Sequence, residues 1–295
     1  MDEVVRKGLD ELAKAAAARG EDVGAFWRAA EAFVAAFRAK RGPARVTRHE
    51  AAGGAAVWLV EPDMGCSACL MEAGETLVLV DGGFACCREE MLSAMRGAVP
   101  DFDARRRLML LTHADVDHSG LCALADEVWM SGTCRSGFVS EAAGGPNLRD
   151  RDAVQGAYER VIRHLTDYVT PPLDRLRAVG RRSECCDAPL AFIGEVVAGG
   201  LRFETWEGLG GHAAGECVYI ERRQRLAFTG DVFCNLKAQT PAQAAFNALS
   251  PILLGSVDDD KALAAMERRA FFDLLDEGEW QVFGGHGGRY VFTAT

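Results

Sequence analysis

The chain has 295 residues, 49% of them hydrophobic and 26% charged, an ordinary globular balance with enough length to bury a large core. Lys and Arg number 33 against 43 Asp and Glu, a formal charge of −10, which argues against nucleic acid as a partner because phosphate backbones are gripped by clustered cations. Collagen-like, disordered and small disulfide-stapled classes are excluded, and the length suits two domains or one large α/β domain.

The first forty residues read as a helical hairpin. Val5, Leu9, Leu12 and Ala16 repeat at helical spacing, as do Val23, Phe26, Trp27, Ala30, Val34 and Phe37, with Gly20 and Gly42-Pro43 as punctuation. Two such helices cannot bury that much apolar surface alone, so they must pack on something else. The opening segment MDEVVRKGLDELAK is charged from its second residue, unlike a signal peptide.

From Arg45 the period changes. Residues 56–60, 69–71 and 76–80 read as short strands, 87–95 as a helix, and 108–111 as a buried strand running into a polar loop. The Arg105–Arg107 run before that strand reads as a solvated turn. Between 119 and 210 the pattern is mostly helical, with Val154, Tyr158, Val161, Ile162 and Leu165 on one face. Strands return near 191–197, 201–206, 217–220 and 226–228. The uncharged run 238–257 carries two Pro, two Gln and an Asn, so it is not a membrane span. A last helix places Leu263, Met266, Ala270, Phe271 and Leu274 on one side, and 281–283 is a final strand. Mixed strands and helices throughout argue for a layered α/β architecture.

Four of the six histidines sit in Gly- or Asp-rich loops after apolar runs. In LLTHADVDHSG, residues 110–120, a strand ends and His113, Asp115, Asp117 and His118 follow within six positions. Ligand-type side chains this dense repel one another unless a cation sits among them. His49 and His164 have no such company and read as surface or core residues. Ten cysteines without an export signal imply reduced thiols and a cytoplasmic location. Cys66 and Cys69 form a C-x-x-C that leads into a strand, with no second pair to complete a zinc site. Structural thiols are the favoured reading, with redox or accessory metal as the alternative.

The 110–120 segment resembles the H-x-H-x-D-H signature of the metallo-β-lactamase fold superfamily, in an H-x-D-x-D-H variant. LVLVDGG at 77–83, GHAAG at 211–215, TGDVF at 229–233 and GGHG at 284–287 are similar to further elements of that family and occur in its order, spanning about 55–290. The resemblance implies an αββα sandwich over residues 44–295, with 1–43 as an N-terminal helical extension and about 134–185 as a helical insertion that walls or lids the pocket. It implies two divalent ions. His113, Asp115 and His212 match ligands of the first, Asp117, His118 and His286 those of the second, and Asp231 the carboxylate that bridges both. Asp81 matches a position that orients a ligand. Asp115 stands where a histidine is usual. Zinc is the first expectation for these ions, with manganese or iron as the alternatives that a hard oxygen at Asp115 brings in.

The expected function is therefore binuclear metal-dependent hydrolysis of a small organic substrate, an ester, lactone, thioester, amide or phosphodiester, with Asp117 and Asp231 as the catalytic carboxylates. Tyr158, Arg289 and Tyr290 are candidate substrate contacts, and Tyr158, Tyr168 and Leu173 point to an organic ligand rather than a polyanion. Two alternatives stand. One is a diiron redox enzyme reducing oxygen or nitric oxide, which would need a separate electron donor because the chain has no flavodoxin-sized extension. The other is a non-catalytic metal-binding protein on the same fold. No membrane partner is expected, and self-association is compatible with the sequence.

Overall fold

Alternation along one strand shows how the layers are stacked. Within Ala56–Glu61, Val57 and Leu59 enter one apolar cluster while Trp58 and Val60 enter another, so this strand is buried on both faces. The computed structural model, which describes residues 1–39 and 42–295, repeats that pattern across two sheets. The first runs in chain order: β1 (Arg45–Glu50), β2 (Ala56–Glu61), β3 (Ala68–Ala73), β4 (Thr76–Val80), β5 (Arg106–Leu110), β6 (Glu127–Met130) and β7 (Leu176–Ala178). It is antiparallel from β1 to β4 and parallel from β4 to β7. The second holds β8 (Leu190–Ala198), β9 (Leu201–Gly208), β10 (Cys217–Glu221), β11 (Leu226–Gly230), β12 (Gly278–Gly284) and β13 (Tyr290–Ala294), in the order β13-β12-β11-β10-β9-β8. Only its β11–β12 pair is parallel.

The sheets face each other across a core to which Leu59, Met71, Val78 and Leu110 contribute from one side and Phe203, Tyr219, Phe228 and Phe283 from the other. Helices cover both outer faces. On the first lie α1 (Glu3–Ala18), α2 (Val23–Arg38), α3 (Arg88–Ala98), α5 (Gly132–Ala142) and α6 (Ala153–Leu165). The single turn α4 (Val116–Ser119) follows β5. The short helices α7 (Pro241–Asn247) and α8 (Leu249–Leu254) join the same cluster through Phe246 and Leu253. On the second sheet α9 (Lys261–Asp273) packs through Phe271 against Val218, Ile220 and Val282. This is the αββα sandwich that the resemblance implies.

The N-terminal hairpin meets α6 and α8. Gly8 of α1 lets the chain approach α6 so closely that a Cβ there would sit 2.4 Å from Val161 Cγ2 and 3.1 Å from the Ala157 carbonyl oxygen. Val5, Leu9, Leu12, Phe26 and Phe33 are buried in the cluster that also takes Ala157, Val161 and Ile162. No helix among the described residues is long and apolar enough to cross a membrane.

Several local expectations are corrected. The 134–185 stretch is not wholly helical: β7 lies inside it and pairs with β6. Arg106 and Arg107 open β5 rather than forming a turn, and Arg105 is tied to Glu72 at 2.5 Å. On α9 the buried side is Ala264, Glu267 and Phe271, while Met266 faces solvent. The helix is rotated because the Glu267 carboxylate accepts the backbone N–H groups of Leu209, Gly210 and Gly211.

Gly8→Leu should destabilise the protein by about 1–3 kcal/mol, the usual cost of overpacking a tight contact. Gly97→Ala, in a helix with open space around the added methyl, should instead gain about 0.5–1 kcal/mol. Urea unfolding of the two variants reads both; equal stabilities would contradict the α1–α6 packing.

Candidate metal centre

Strand direction gathers the site. β4 and β5 are parallel with Val80 opposite Leu110, so the residues after them, Asp81 and the 111–118 loop, emerge side by side. β11 and β12 are parallel with Gly230 opposite Gly284, which places Asp231 beside Gly285 and His286. The loop after β9 brings His212 to the same edge. Gly285 is required there, because a Cβ would lie 2.3 Å from both Asp231 Oδ1 and His118 Cε1.

Two groups of ligand atoms converge. His113, His212 and Asp231 form one, and Asp117, His118 and His286 the other, each within 4.8 Å among themselves. Asp231 spans both: Oδ2 lies 3.5 Å from His212 Nε2 and 3.4 Å from His286 Nε2, and Oδ1 lies 3.4 Å from His118 Nε2. Asp117 Oδ2 is 3.3 Å from His286 Nε2.

Each ring is oriented from behind. His118 Nδ1 is 2.8 Å from Asp81, His212 Nδ1 is 3.0 Å from Asp258, and His286 Nδ1 donates to the Gly65 carbonyl at 2.9 Å. The Thr112 hydroxyl donates to Asp81 and accepts from His113 Nδ1 at 3.0 Å. With Nδ1 engaged, every Nε2 points inward. Asp81 performs its task from a left-handed backbone conformation, φ 57°, in which its carboxylate also accepts the Thr112 N–H at 2.8 Å. A non-glycine residue held there is strained, and that strain sits at the hinge of the ligand loop. Glu216, buried, accepts the Asp231 N–H at 2.7 Å and faces His113.

The donor set fits divalent cations. His113 Nε2 and His118 Nε2 are buried without a hydrogen-bond partner, an arrangement that costs free energy unless something else binds the lone pair. Burial alone would raise the Asp231 carboxyl, yet His286 and His118 hold it well below the usual carboxylate range. Burial would likewise lower His286, but Asp231 and Asp117 push it up to about 10. The same negative field attracts a metal ion, which competes with the proton for each ring nitrogen.

Asp115 stands beside the first group, its Oδ2 3.5 Å from His113 Nε2 and 3.6 Å from His212 Nε2. Arg149 also grips both its oxygens, Nε to Oδ1 at 2.7 Å and Nη2 to Oδ2 at 2.6 Å, and Asp115 is not among the residues of either tight group. Sequence reasoning missed Arg149. The one signal for it is an extra carboxylate in a ligand loop, which demands a buried counter-ion without saying which. Glu216, Asp258 and Glu267 were also missed, since they act through backbone groups and ring nitrogens that no motif displays.

Asp117, His212, Asp231 and His286, with Asp115 and Arg149, line a cavity of about 400 Å³. Phe84, Ile162, Phe246, Leu254 and Val257 supply apolar wall, and Tyr158 lines it with its hydroxyl 2.9 Å from Ser250. Arg289 and Tyr290 do not line it: Arg289 turns to Gln281, and Tyr290 stacks near Phe233 and Phe272. Tyr168 and Leu173 are absent from the lining too. Cys66 and Cys69 are buried in different apolar clusters, which disfavours a shared ion. His49 lies beside Phe283 and His164 beside Asp2, both outside the two groups.

No family model matches the chain, and no curated protein matches it. Among solved structures it is similar to the MIM-2 metallo-β-lactamase, at 14% identity and TM-score 0.49 over 84% of this chain and 77% of that one. It is also similar to a metallo-β-lactamase from Pontibacter korlensis, at 15% identity and TM-score 0.47 over 83% and 93%. A variant of a flavo di-iron protein from Thermotoga maritima matches at 14% identity and TM-score 0.48, over 84% of this chain and 58% of that one.

Glu159 lines the same cavity. Burial, then Asp115, push its carboxyl up to about 7, against the pull of Arg163. A carboxyl raised in the folded state loses stability as pH climbs from about 4.5 to 7, because only the unfolded chain has released its proton in that window. Glu159→Gln should therefore gain on the wild type by about 2–4 kcal/mol between pH 4.5 and 8. A constant difference across that range, measured by denaturant unfolding, would refute the assignment.

Proposed function

We propose that this protein is a metal-dependent hydrolase of a small organic substrate with a sizeable apolar group. One observation carries the reading: two ligand groups share Asp231, and Asp117, His212, Asp231 and His286 line a single cavity beside the apolar side chains of Phe84, Ile162, Phe246, Leu254 and Val257. The residues that would hold the ions are His113, His212 and Asp231 on one side and Asp117, His118 and His286 on the other. When bound, such ions supply Lewis-acid polarisation of a carbonyl or phosphoryl oxygen and an acidified water.

The remaining work falls to the chain. Asp231, its N–H fixed by Glu216, is set between the two groups so that both are held at one spacing. Asp117 stands in the cavity floor, where its carboxylate can take a proton from the attacking water and pass it to the leaving group. Phe84, Phe246 and Ile162 exclude bulk water and bind the apolar part of the substrate, and the Tyr158–Ser250 pair offers a polar contact beside them. Zinc suits the four inward imidazole nitrogens. The case for manganese or iron rested on Asp115 as a ligand, and the engagement of its oxygens by Arg149 weakens it. The diiron redox alternative loses the same support.

A panel of aryl esters with acyl chains of increasing length tests this. Hydrolysis should require added metal, rise in kcat/KM with chain length, and be lost in Asp231→Ala together with metal content. In Phe246→Ala the chain-length preference should flatten by about tenfold, while metal content stays at the wild-type level. Activity indifferent to chelators and to Asp231→Ala would overturn the proposal.

A further inference from the structure

Arg149 gives the two ligand groups unequal standing. Its guanidinium is buried and every donor is used. Nε and Nη2 grip Asp115. Nη1 donates toward the carbonyls of His212 at 2.7 Å and Val257 at 3.1 Å and toward Asp259 at 3.1 Å. The second Nη2 donor meets His212 Nε2 at 2.7 Å. A guanidinium remains protonated at any pH a protein survives, so it is a permanent cation whose N–H takes a lone pair of the first ligand group. With no donor left over, it is not a hook for a substrate anion. The second group, Asp117, His118 and His286, has no Lys or Arg among its hydrogen-bond or ion-pair partners within the described residues.

We propose that Arg149 is a built-in competitor for the first metal position, so that the centre fills in order. The group of Asp117, His118 and His286 takes one ion tightly. The group of His113, His212 and Asp231 takes a second only when that ion displaces Nη2 from His212 Nε2 and tolerates a fixed positive charge beside it. Asp115, whose Oδ2 also lies 3.5 Å from His113 Nε2 and 3.6 Å from His212 Nε2, anchors that charge. The inference rests on the metal-centre reading of the preceding subsection and adds an order of occupancy to it, and a single-ion form at limiting metal.

The test is a titration of chelator-stripped protein with Zn²⁺ against a chromophoric competitor, with occupancy checked by native mass spectrometry. The wild type should bind one equivalent tightly and a second at least about tenfold more weakly, within the range by which partners of metal ligands alter affinity. Arg149→Met should tighten the second equivalent by about 10- to 100-fold, and His286→Ala should lose the tight equivalent and keep the weak one. Should Arg149→Met fail to fold, as circular dichroism would show, the wild-type and His286→Ala titrations still decide. Two wild-type equivalents of equal affinity, an unchanged or weaker second equivalent in folded Arg149→Met, or a tight equivalent surviving in His286→Ala would each overturn the proposal while leaving the hydrolase reading intact. A chain that binds no zinc would refute that reading as well.

Discussion

Concentrated negative charge is the constraint around which this molecule is arranged. Asp81, Asp115, Asp117, Asp231, Glu216 and Asp258 all converge at one edge of the sandwich. Carboxylates brought this close out of water repel strongly unless positive charge stands among them. The fold supplies it in two ways. Arg149 is fixed and covalently part of the chain. The histidine rings are exchangeable, since each accepts either a proton or a metal ion at Nε2. Asp81 and Asp258 behind the rings bias them toward positive charge, so the residues that orient the ligands also set the demand for a cation.

The topology makes that concentration achievable at tolerable cost. In a parallel pair both C-terminal ends open on the same side, and the two parallel contacts nearest the site, β4–β5 and β11–β12, each deliver ligands to that edge. The loops then tie to one another through the backbone. The Ser67 N–H donates to the Gly285 carbonyl, Gly82 to His118, and Gly285 to Gly230. Glu267 holds the 209–211 segment through three N–H groups. Side-chain positions at the centre are therefore set by main-chain bonds, which is what a site with little tolerance for displacement needs.

What the sequence discloses follows from the same physics. Strands buried on both faces, such as β4 and β11, are legible as apolar runs, and the ligand loops are legible because His and Asp rarely crowd together without a cation. Short or exposed edge strands are not. β1 reads RVTRHE and is largely exposed, β7 has three residues, and β13 begins at the half-exposed Tyr290, so none shows an apolar run strong enough to declare itself. Arg289 and Tyr290 illustrate a different limit. They follow His286 closely in the chain, but β13 turns back along β12 and carries them away from the cavity. Arg149 is the converse, remote in sequence from Asp115 yet bidentate to it in space, from a loop whose sequence marks no site.

The N-terminal hairpin gives the cavity its character. Its helices pack on α6 and α8, the same elements that present Tyr158, Ile162, Ser250 and Leu254 to the cavity. Swinging that roof outward would expose Val5, Leu9, Leu12, Phe26 and Phe33, each worth about 1.5–3 kcal/mol when fully buried. Burial on that scale holds the hairpin firmly against α6 and α8. Leu236 and Arg268, both exposed, also line the cavity. The hairpin, none of whose described residues lines the cavity, thus bears on the shape of the cavity wall through the packing of Gly8 against Val161 of α6.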